Sequence, residues 1–336
     1  MGALFADNPP ADLERAIEQI PILDLGPYFA GREGALVKLG AEMRAASEGV
    51  GFFYVTGHGV DDALIEAAFA ESKRFHALPI EEKSRLAIDM NNIGYMAMNA
   101  SMQRHSTVHR NSRPNQNASL FVSYDRDPED PDVVAGTPLR GANHWPDLPG
   151  FRETVMAYFW AMHGLGQRLG AVFAVALDLP EDYFSPLFGD EPFANLRLLH
   201  YPPTQDVADN AFGAAPHTDN GFMTLLAREP GVPGLAVRFP DGSWVSPPVI
   251  PGTFLVNLGN TLRRWTNDRF VATPHGVVND AEADRYTLAY FHSVNPGTMI
   301  ECLPTCQDDA NKAKYDPAQY RDLILEFYNA NYFHRK

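Results

Sequence analysis

The sequence predicts a mainly β fold with flanking helices, and three observations carry that prediction. Between Leu196 and Val294 short apolar segments recur at regular intervals: LRLLHY, PHTDNGFMTLLA, GLAVRF, SWVSPPV, GTFLVNLGN, FVATPHGVV and RYTLAYFHSV. Turn formers such as Pro240-Asp241-Gly242 and Pro251-Gly252 separate them, which is the rhythm of an antiparallel barrel or sandwich. Outside that stretch the periodicity turns helical, most strongly over residues 150–178. The chain has 336 residues, 45% of them apolar, enough for one large domain with a buried core. No internal repeat and no Gly/Ser-rich linker divides it. We therefore expect a single domain: an N-terminal region over about 1–140, a core over about 195–295, and a C-terminal loop and helix over 296–336.

In chain order, IPILDLGPYFA (20–30) reads as a short strand, and residues 34–48 as a helix with Leu36, Leu39, Met43 and Ala46 on one side. GFFYVTGHGV (51–60) is an aromatic strand. His58, flanked by glycines at its end, fits a structural role better than a chemical one. Residues 61–76 form a second helix that stops before Leu78-Pro79, and Glu81-Glu82-Lys83 opens another turn. From Asn91 to Gly141 Gly, Asn, Ser and Pro are frequent and no period is sustained, so a loop is expected. His105 and His109 are spaced i, i+4 within it, but no third ligand lies nearby and surface histidines are the simpler reading. Asn99-Ala-Ser101 and Asn117-Ala-Ser119 match a glycosylation pattern that has no meaning in a cytoplasmic protein. Gly164, Gly166 and Gly170 imitate a dinucleotide loop but sit inside a helical pattern, where close helix packing explains them better. A last helix runs from Pro317 to about Asn331, with Leu323, Leu325, Phe327 and Tyr328 on it, placed to cap the mouth of a barrel.

Composition narrows the partners. A net charge of −15 disfavours a nucleic-acid partner, which needs clustered Lys and Arg. No apolar run approaches the roughly 20 residues of a membrane span, and no basic stretch precedes an apolar core at the N-terminus, so the cytoplasm is expected. Gly2 lacks the Ser or Thr at position 6 that myristoylation favours. Cys302 and Cys306 alone exclude a disulfide scaffold and lack the companions of a structural zinc site; packing is their expected role. Oligomeric state leaves no mark in the sequence.

The chemistry concentrates between Pro216 and Thr287. His217 and Asp219 are two apart in a strand-like segment, so their side chains leave one face. His275 follows 56 residues after Asp219 in a second β-like run. Two imidazoles and a carboxylate that leave positions open are the ligand set of a non-haem Fe(II) oxygenase. Zinc also accepts such a set, but a zinc hydrolase leaves Arg285 without a role. Arg285 and Thr287 repeat the i, i+2 spacing, offering a cation and a hydroxyl to the distal carboxylate of a small dicarboxylate.

These residues, with IPILDL near the N-terminus, resemble the 2-oxoglutarate/Fe(II)-dependent dioxygenases of the isopenicillin N synthase-like class, over nearly the whole chain. That class carries His-x-Asp, a distant His and Arg-x-Ser on a double-stranded β-helix (jelly-roll). Here the motif reads His217-Thr218-Asp219, His275 and Arg285-Tyr286-Thr287. The resemblance implies Fe(II) on His217, Asp219 and His275, and 2-oxoglutarate as cosubstrate on Arg285, Thr287 and Tyr201. With O2, a small molecule would be hydroxylated and succinate and CO2 released. Asp219 implies oxygenation and not halogenation, because halogenases of this chemistry lack that carboxylate. The resemblance also places the 91–141 segment at the mouth of the site, which makes Tyr95, Met98, Asn117 and Phe121 pocket candidates.

Four departures bear on the surroundings of the site. Thr287 stands for Ser, Gly276 follows the second His where Arg is common, Asn260 stands where Asp is frequent, and Leu199 precedes Tyr201 where Asn is frequent. Two other readings stay open at this point: an iron oxidase that grips its substrate's own carboxylate and needs no 2-oxoglutarate, and a non-catalytic small-molecule-binding barrel.

Overall fold

The computed structural model describes residues 20–335 apart from 105, 107, 109, 110, 205–210, 280 and 281. His105 and His109 thus lie outside the described residues. Apart from a two-stranded ribbon of Met299–Ile300 and Ala318–Gln319, the strands form two main sheets. The larger runs in the order β1 (Ile22–Asp24), β2 (Phe52–Thr56), β10 (Phe254–Leu258), β7 (Met223–Arg228), β12 (Arg285–His292), β5 (Ala194–Tyr201), β4 (Ala118–Val122) and β3 (Gly94–Met96). The smaller holds β6 (Ala214–His217), β11 (His275–Val277), β8 (Leu235–Arg238) and β9 (Trp244–Val245). Strands β10, β7, β12 and β5 packed on this smaller sheet make the double-stranded β-helix, and β1 to β4 extend the larger sheet at its two ends.

Strand parity decides what reaches the interior, because alternate side chains leave opposite faces of a sheet. On β12, Leu288 and Tyr290 join the core beneath the helices, whereas Ala289 joins the core between the sheets. Arg285 and Thr287 share the inward parity of Ala289. On β5 the inward set is Arg197, Leu199 and Tyr201; on β10 it is Leu255 and Asn257. The outer face is covered by α1 (Ala35–Gly49), α2 (Asp62–His76) and α3 (Phe151–Ala176), through Met43, Phe75, Phe159 and Phe173. This helix-side core extends from Leu23 to Tyr332.

Several expectations need correction. Residues 91–141 are not merely loop: β3 and β4 lie there, and β4 pairs with β5 along its length. Every residue of β4 is buried, so it shows no alternation to read in the sequence. In the 20–30 segment the strand is only three residues, and Gly26–Phe29 forms a helical turn led by Pro27. A short helix, α4 (Asn260–Trp265), follows β10 unannounced. Close packing accounts for Gly166 and Gly170, where an added Cβ would meet the His292 ring and Phe188 at 2.7 Å, but not for Gly164, which has nothing within 4 Å. Cys302 and Cys306 carry free thiols, Cys306 buried in the helix-side core. His58 is buried and packs on Phe254. No described helix is long and apolar enough to cross a membrane.

Candidate metal centre

His217 ends β6 and His275 begins β11, and the two are direct cross-strand partners. Their rings lie 4.5 Å apart between centroids. Asp219 falls two residues beyond the end of β6, outside the strand that its spacing had suggested. It reaches the pair nonetheless: its Oδ1 is 3.6 Å from His217 Nε2 and 3.7 Å from His275 Nε2. One ligand atom from each of the three residues falls within 4.8 Å of the others, a spacing that one cation can span.

Each ligand is oriented by its neighbours. His217 Nδ1 donates to the Ala215 carbonyl at 2.7 Å, and His275 Nδ1 to the Thr273 carbonyl at 3.1 Å. Those bonds place the proton on Nδ1 and leave the Nε2 lone pairs aimed at the cluster. Asp219 Oδ2 accepts from Thr224 Oγ1 at 2.5 Å and Asn257 Nδ2 at 2.8 Å, which leaves Oδ1 for a cation. Thr224 and Asn257 are themselves a cross-strand pair of β7 and β10, both with inward parity. The Asn260 amide closes the loop by donating to the Asp219 carbonyl at 2.7 Å, and its side-chain amide donates to Thr218 and Asn220. The Asn260 side chain therefore serves the loop as a donor, a task the carboxylate of the Asp frequent at this place cannot share. Gly276 lies against β6, with Ala214 O only 3.2 Å from where its Cβ would be.

Burial alone would raise the Asp219 carboxyl, but His275, His217 and the Thr224 hydroxyl overcome it and hold the group well below the usual carboxylate range. Burial pushes the His275 imidazole down, against the pull of Asp219. At neutral pH the cluster presents a carboxylate and, at His275, an uncharged imidazole, the states in which these groups bind a metal.

Arg285 and Thr287 face inward on β12, where Arg285 pairs with Tyr201 of β5 and Thr287 with Arg228 of β7. The Arg285 guanidinium sits 4.0 Å from the centre of the Tyr201 ring. It is 5% exposed, and its Nε and Nη2 have no hydrogen-bond partner. Burial lowers its pKa, against the pull of Tyr201, and the guanidinium keeps its charge, as arginine does in proteins. A buried cation with two idle donors fits an anion supplied from outside the chain. Arg228 beside it is satisfied by the Pro247 and Pro248 carbonyls. Arg285 and Thr287 border a cavity of about 250 Å³.

Two further cavities meet at His217. One of about 460 Å³ opens between Asn260, Arg264 and Phe327 of the C-terminal helix α5 (Tyr320–Asn331). The other, about 70 Å³, is bounded by Asp219, Phe121, Arg197, Tyr328 and Tyr332. The structure thus puts Phe121 beside the cluster and the C-terminal helix over it. It puts Tyr95 in the helix-side core against Phe75, and leaves Met98 43% exposed. Asn117 is buried and ties Gly213 by a 2.5 Å bond to its carbonyl. Neither Tyr95, Met98 nor Asn117 borders the two cavities at His217. Sequence reasoning missed Thr224, Asn257 and Arg197; inward parity on a core strand was the signal that marks them.

Residues 192–294 match the family model described as the 2OG-Fe(II) oxygenase superfamily, and residues 20–148 match that of the non-haem dioxygenase in morphine synthesis N-terminal. The chain is 34% identical over 323 residues to a 2-oxoglutarate-Fe(II) type oxidoreductase, hxnY, of Emericella nidulans, covering 93% of this chain and 90% of the relative. It superposes on a full-length Neurospora crassa protein in complex with alpha-KG and thymine with a TM-score of 0.81 and 26% identity, over 93% of this chain and 96% of the other. On JOX2 in complex with 2OG, Fe and JA the TM-score is 0.76 at 27% identity, over 92% and 84%.

Proposed function

The chain belongs to the 2OG-Fe(II) oxygenase superfamily, and on that premise we propose that it hydroxylates a free small molecule, with iron on His217, Asp219 and His275 and 2-oxoglutarate anchored by Arg285. The observation that carries the reading is Arg285: a buried guanidinium with two donors idle and a hydroxyl, Thr287, two residues on. The metal cluster alone fits several reactions, whereas a waiting anion site that faces inward from β12 of the opposite sheet fits a dicarboxylate cosubstrate. Bound Fe(II) and 2-oxoglutarate supply, with O2, the oxidising chemistry, 2-oxoglutarate leaving as succinate and CO2. The chain's own residues do the rest. Ala215 and Thr273 fix the imidazoles, Thr224 and Asn257 fix the carboxylate, and Arg285 with Tyr201 positions the cosubstrate. Phe121, Tyr328 and Tyr332 line the space beside Asp219.

A free small molecule is favoured by the size of the mouth cavity, about 460 Å³, which lies in the range of small-ligand sites. The net charge of −15 argues against a nucleic-acid substrate. The Neurospora crassa neighbour and JOX2 are in complex with thymine and JA, respectively. The test loads the protein with Fe(II) and 2-oxoglutarate under 18O2 and follows succinate by NMR and product by mass. Succinate formation raised by substrate, with one labelled oxygen in the product, is expected. A product that has lost two hydrogens without gaining oxygen would overturn hydroxylation, and a chlorinated one would overturn oxygenation.

A further inference from the structure

Arg228 ends β7 with the inward parity of Thr224 and Leu226, and its direct partner on β12 is Thr287. Arg285, two residues from Thr287, is therefore its diagonal neighbour on the same face, a separation that long side chains bridge. Both arginines border the cavity of about 250 Å³ that also holds Thr287. Arg228 is partly buried, and its polar contacts are all neutral: Nη1 donates to the Pro247 carbonyl at 2.8 Å and Nη2 to the Pro248 carbonyl at 2.5 Å. The Tyr54 hydroxyl donates to the same Pro248 oxygen at 2.6 Å, so this wall of the cavity is pinned from two sides.

Carbonyls satisfy the donors of Arg228 but leave its charge without a counterpart. Among the described residues neither Arg228 nor Arg285 forms an ion pair, and Glu229, the carboxylate bordering the same cavity, is held by Lys73 at 2.5 Å. Burial lowers the Arg228 pKa, the Tyr54 hydroxyl opposes it, and the charge on Arg285 lowers it further. Two neighbouring cations in one partly dry space repel, and a bound anion relieves that repulsion. The Nη1–Nη2 fork of Arg228 is engaged by the proline carbonyls, so the grip on the anion falls to the idle Nε and Nη2 of Arg285. Arg228 contributes charge without contact.

We propose that Arg228 is a positioning residue for the cosubstrate: from the neighbouring strand it supplies a second positive charge that selects a 2-oxo acid carrying a distal carboxylate, while Arg285 makes the contact. This rests on the oxygenase reading above. Unit charges about 7 Å apart at an effective dielectric of about 20 interact enough to shift binding more than tenfold, and partial exposure of Arg228 screens that toward about tenfold.

The test titrates the full chain, loaded with Fe(II) and kept anaerobic, with 2-oxoglutarate and with 2-oxovalerate, which has the same metal-binding head and no distal carboxylate. The visible charge-transfer band reports both. Arg228→Gln, which can still donate to one proline carbonyl, should weaken 2-oxoglutarate about tenfold and 2-oxovalerate less than about twofold. Arg228→Lys keeps the charge, gives up one carbonyl, and should hold 2-oxoglutarate within about threefold of the unaltered protein. Tyr54→Phe loosens the same wall at constant charge and should leave the preference for the distal carboxylate where it is. Glu229→Gln removes a carboxylate from the cavity wall and should tighten 2-oxoglutarate about twofold with 2-oxovalerate unmoved, a change of opposite sign that decides the matter if Arg228→Gln does not fold. Equal weakening of both acids by Arg228→Gln, as a residue that only pins the wall would give, would overturn the proposal. So would undiminished 2-oxoglutarate binding by folded Arg228→Gln, Arg228→Lys no better than Arg228→Gln, or no tightening by Glu229→Gln. Absence of the band with 2-oxoglutarate in unaltered protein that holds Fe(II) would instead break the oxygenase reading beneath it.

Discussion

Asp219 is the most constrained of the three metal-ligating candidates, and the constraint lies in two residues that no metal would touch. Thr224 Oγ1 at 2.5 Å and Asn257 Nδ2 at 2.8 Å both donate to the same carboxylate oxygen. Hydrogen bonds to a charged group are worth about 1.5–3 kcal/mol each, and here they also stop the carboxylate from rotating Oδ1 away from the imidazoles. Thr224→Val keeps the shape and removes the donor, and Asn257→Leu does the same across the strand pair. Each should weaken Fe(II) about tenfold to a hundredfold, roughly 1.4–2.7 kcal/mol, as is usual when a partner that orients a ligand is lost. The two donors share one acceptor, so the double variant should lose less than the sum of the single losses. The assay is an anaerobic Fe(II) titration against a competing chelator, with melting of the metal-free proteins as the control for folding. A folded double variant that binds Fe(II) within about twofold of the unaltered protein would refute the claim that this pair fixes the ligand.

Two glycines of α3 should respond oppositely to alanine. In Gly166→Ala the new methyl meets the His292 ring at 2.7–2.9 Å, and that ring is boxed in by Phe188 at 4.3 Å, so thermal denaturation should show a loss of about 1–2 kcal/mol despite better helix propensity. Gly164→Ala meets nothing within 4 Å and should gain up to about 1 kcal/mol; equal shifts in the two variants would contradict the packing explanation. Burial pushes both His76 and His292 down to about 3 from 6.5. Between those values the unfolded chain holds protons that the folded one excludes. Stability should therefore fall as pH drops from about 6.5 toward 3, by roughly 1.4 kcal/mol per unit for each histidine at full slope. Urea denaturation at pH 7, 6 and 5 reads this, and His292→Gln should flatten the dependence.

The double-stranded β-helix was legible because its strands alternate: RYTLAYFH and LRLLHY each send one parity to the helices and the other between the sheets. β4 was not legible, since all its five residues are buried and periodicity vanishes when both faces are covered. The cluster of His217, Asp219 and His275 was readable as spacing, but a shared strand face is only part of its cause. Asp219 stands beyond the strand, and what aims it is the Thr224–Asn257 pair and the Asn260 amide, each from a different part of the chain. Such support is long-range and leaves no local pattern. The pocket candidates fared unevenly for the same reason. Tyr95, Phe121 and Asn117 are all buried, but only register with Arg197 on β5 brings Phe121 to the cavity.

Cosubstrate binding at Arg285 is the claim on which the rest depends, and one titration addresses it. The Fe(II) protein, held anaerobic, is titrated with 2-oxoglutarate while the weak visible metal-to-ligand charge-transfer band is followed, with Arg285→Ala alongside. A band that saturates in the unaltered protein and needs about a hundredfold more 2-oxoglutarate in the variant is the predicted result, since a buried charge pair loses one partner. No band from protein that demonstrably holds Fe(II) would contradict it, and would point to an iron oxidase in which Arg285 grips the substrate itself.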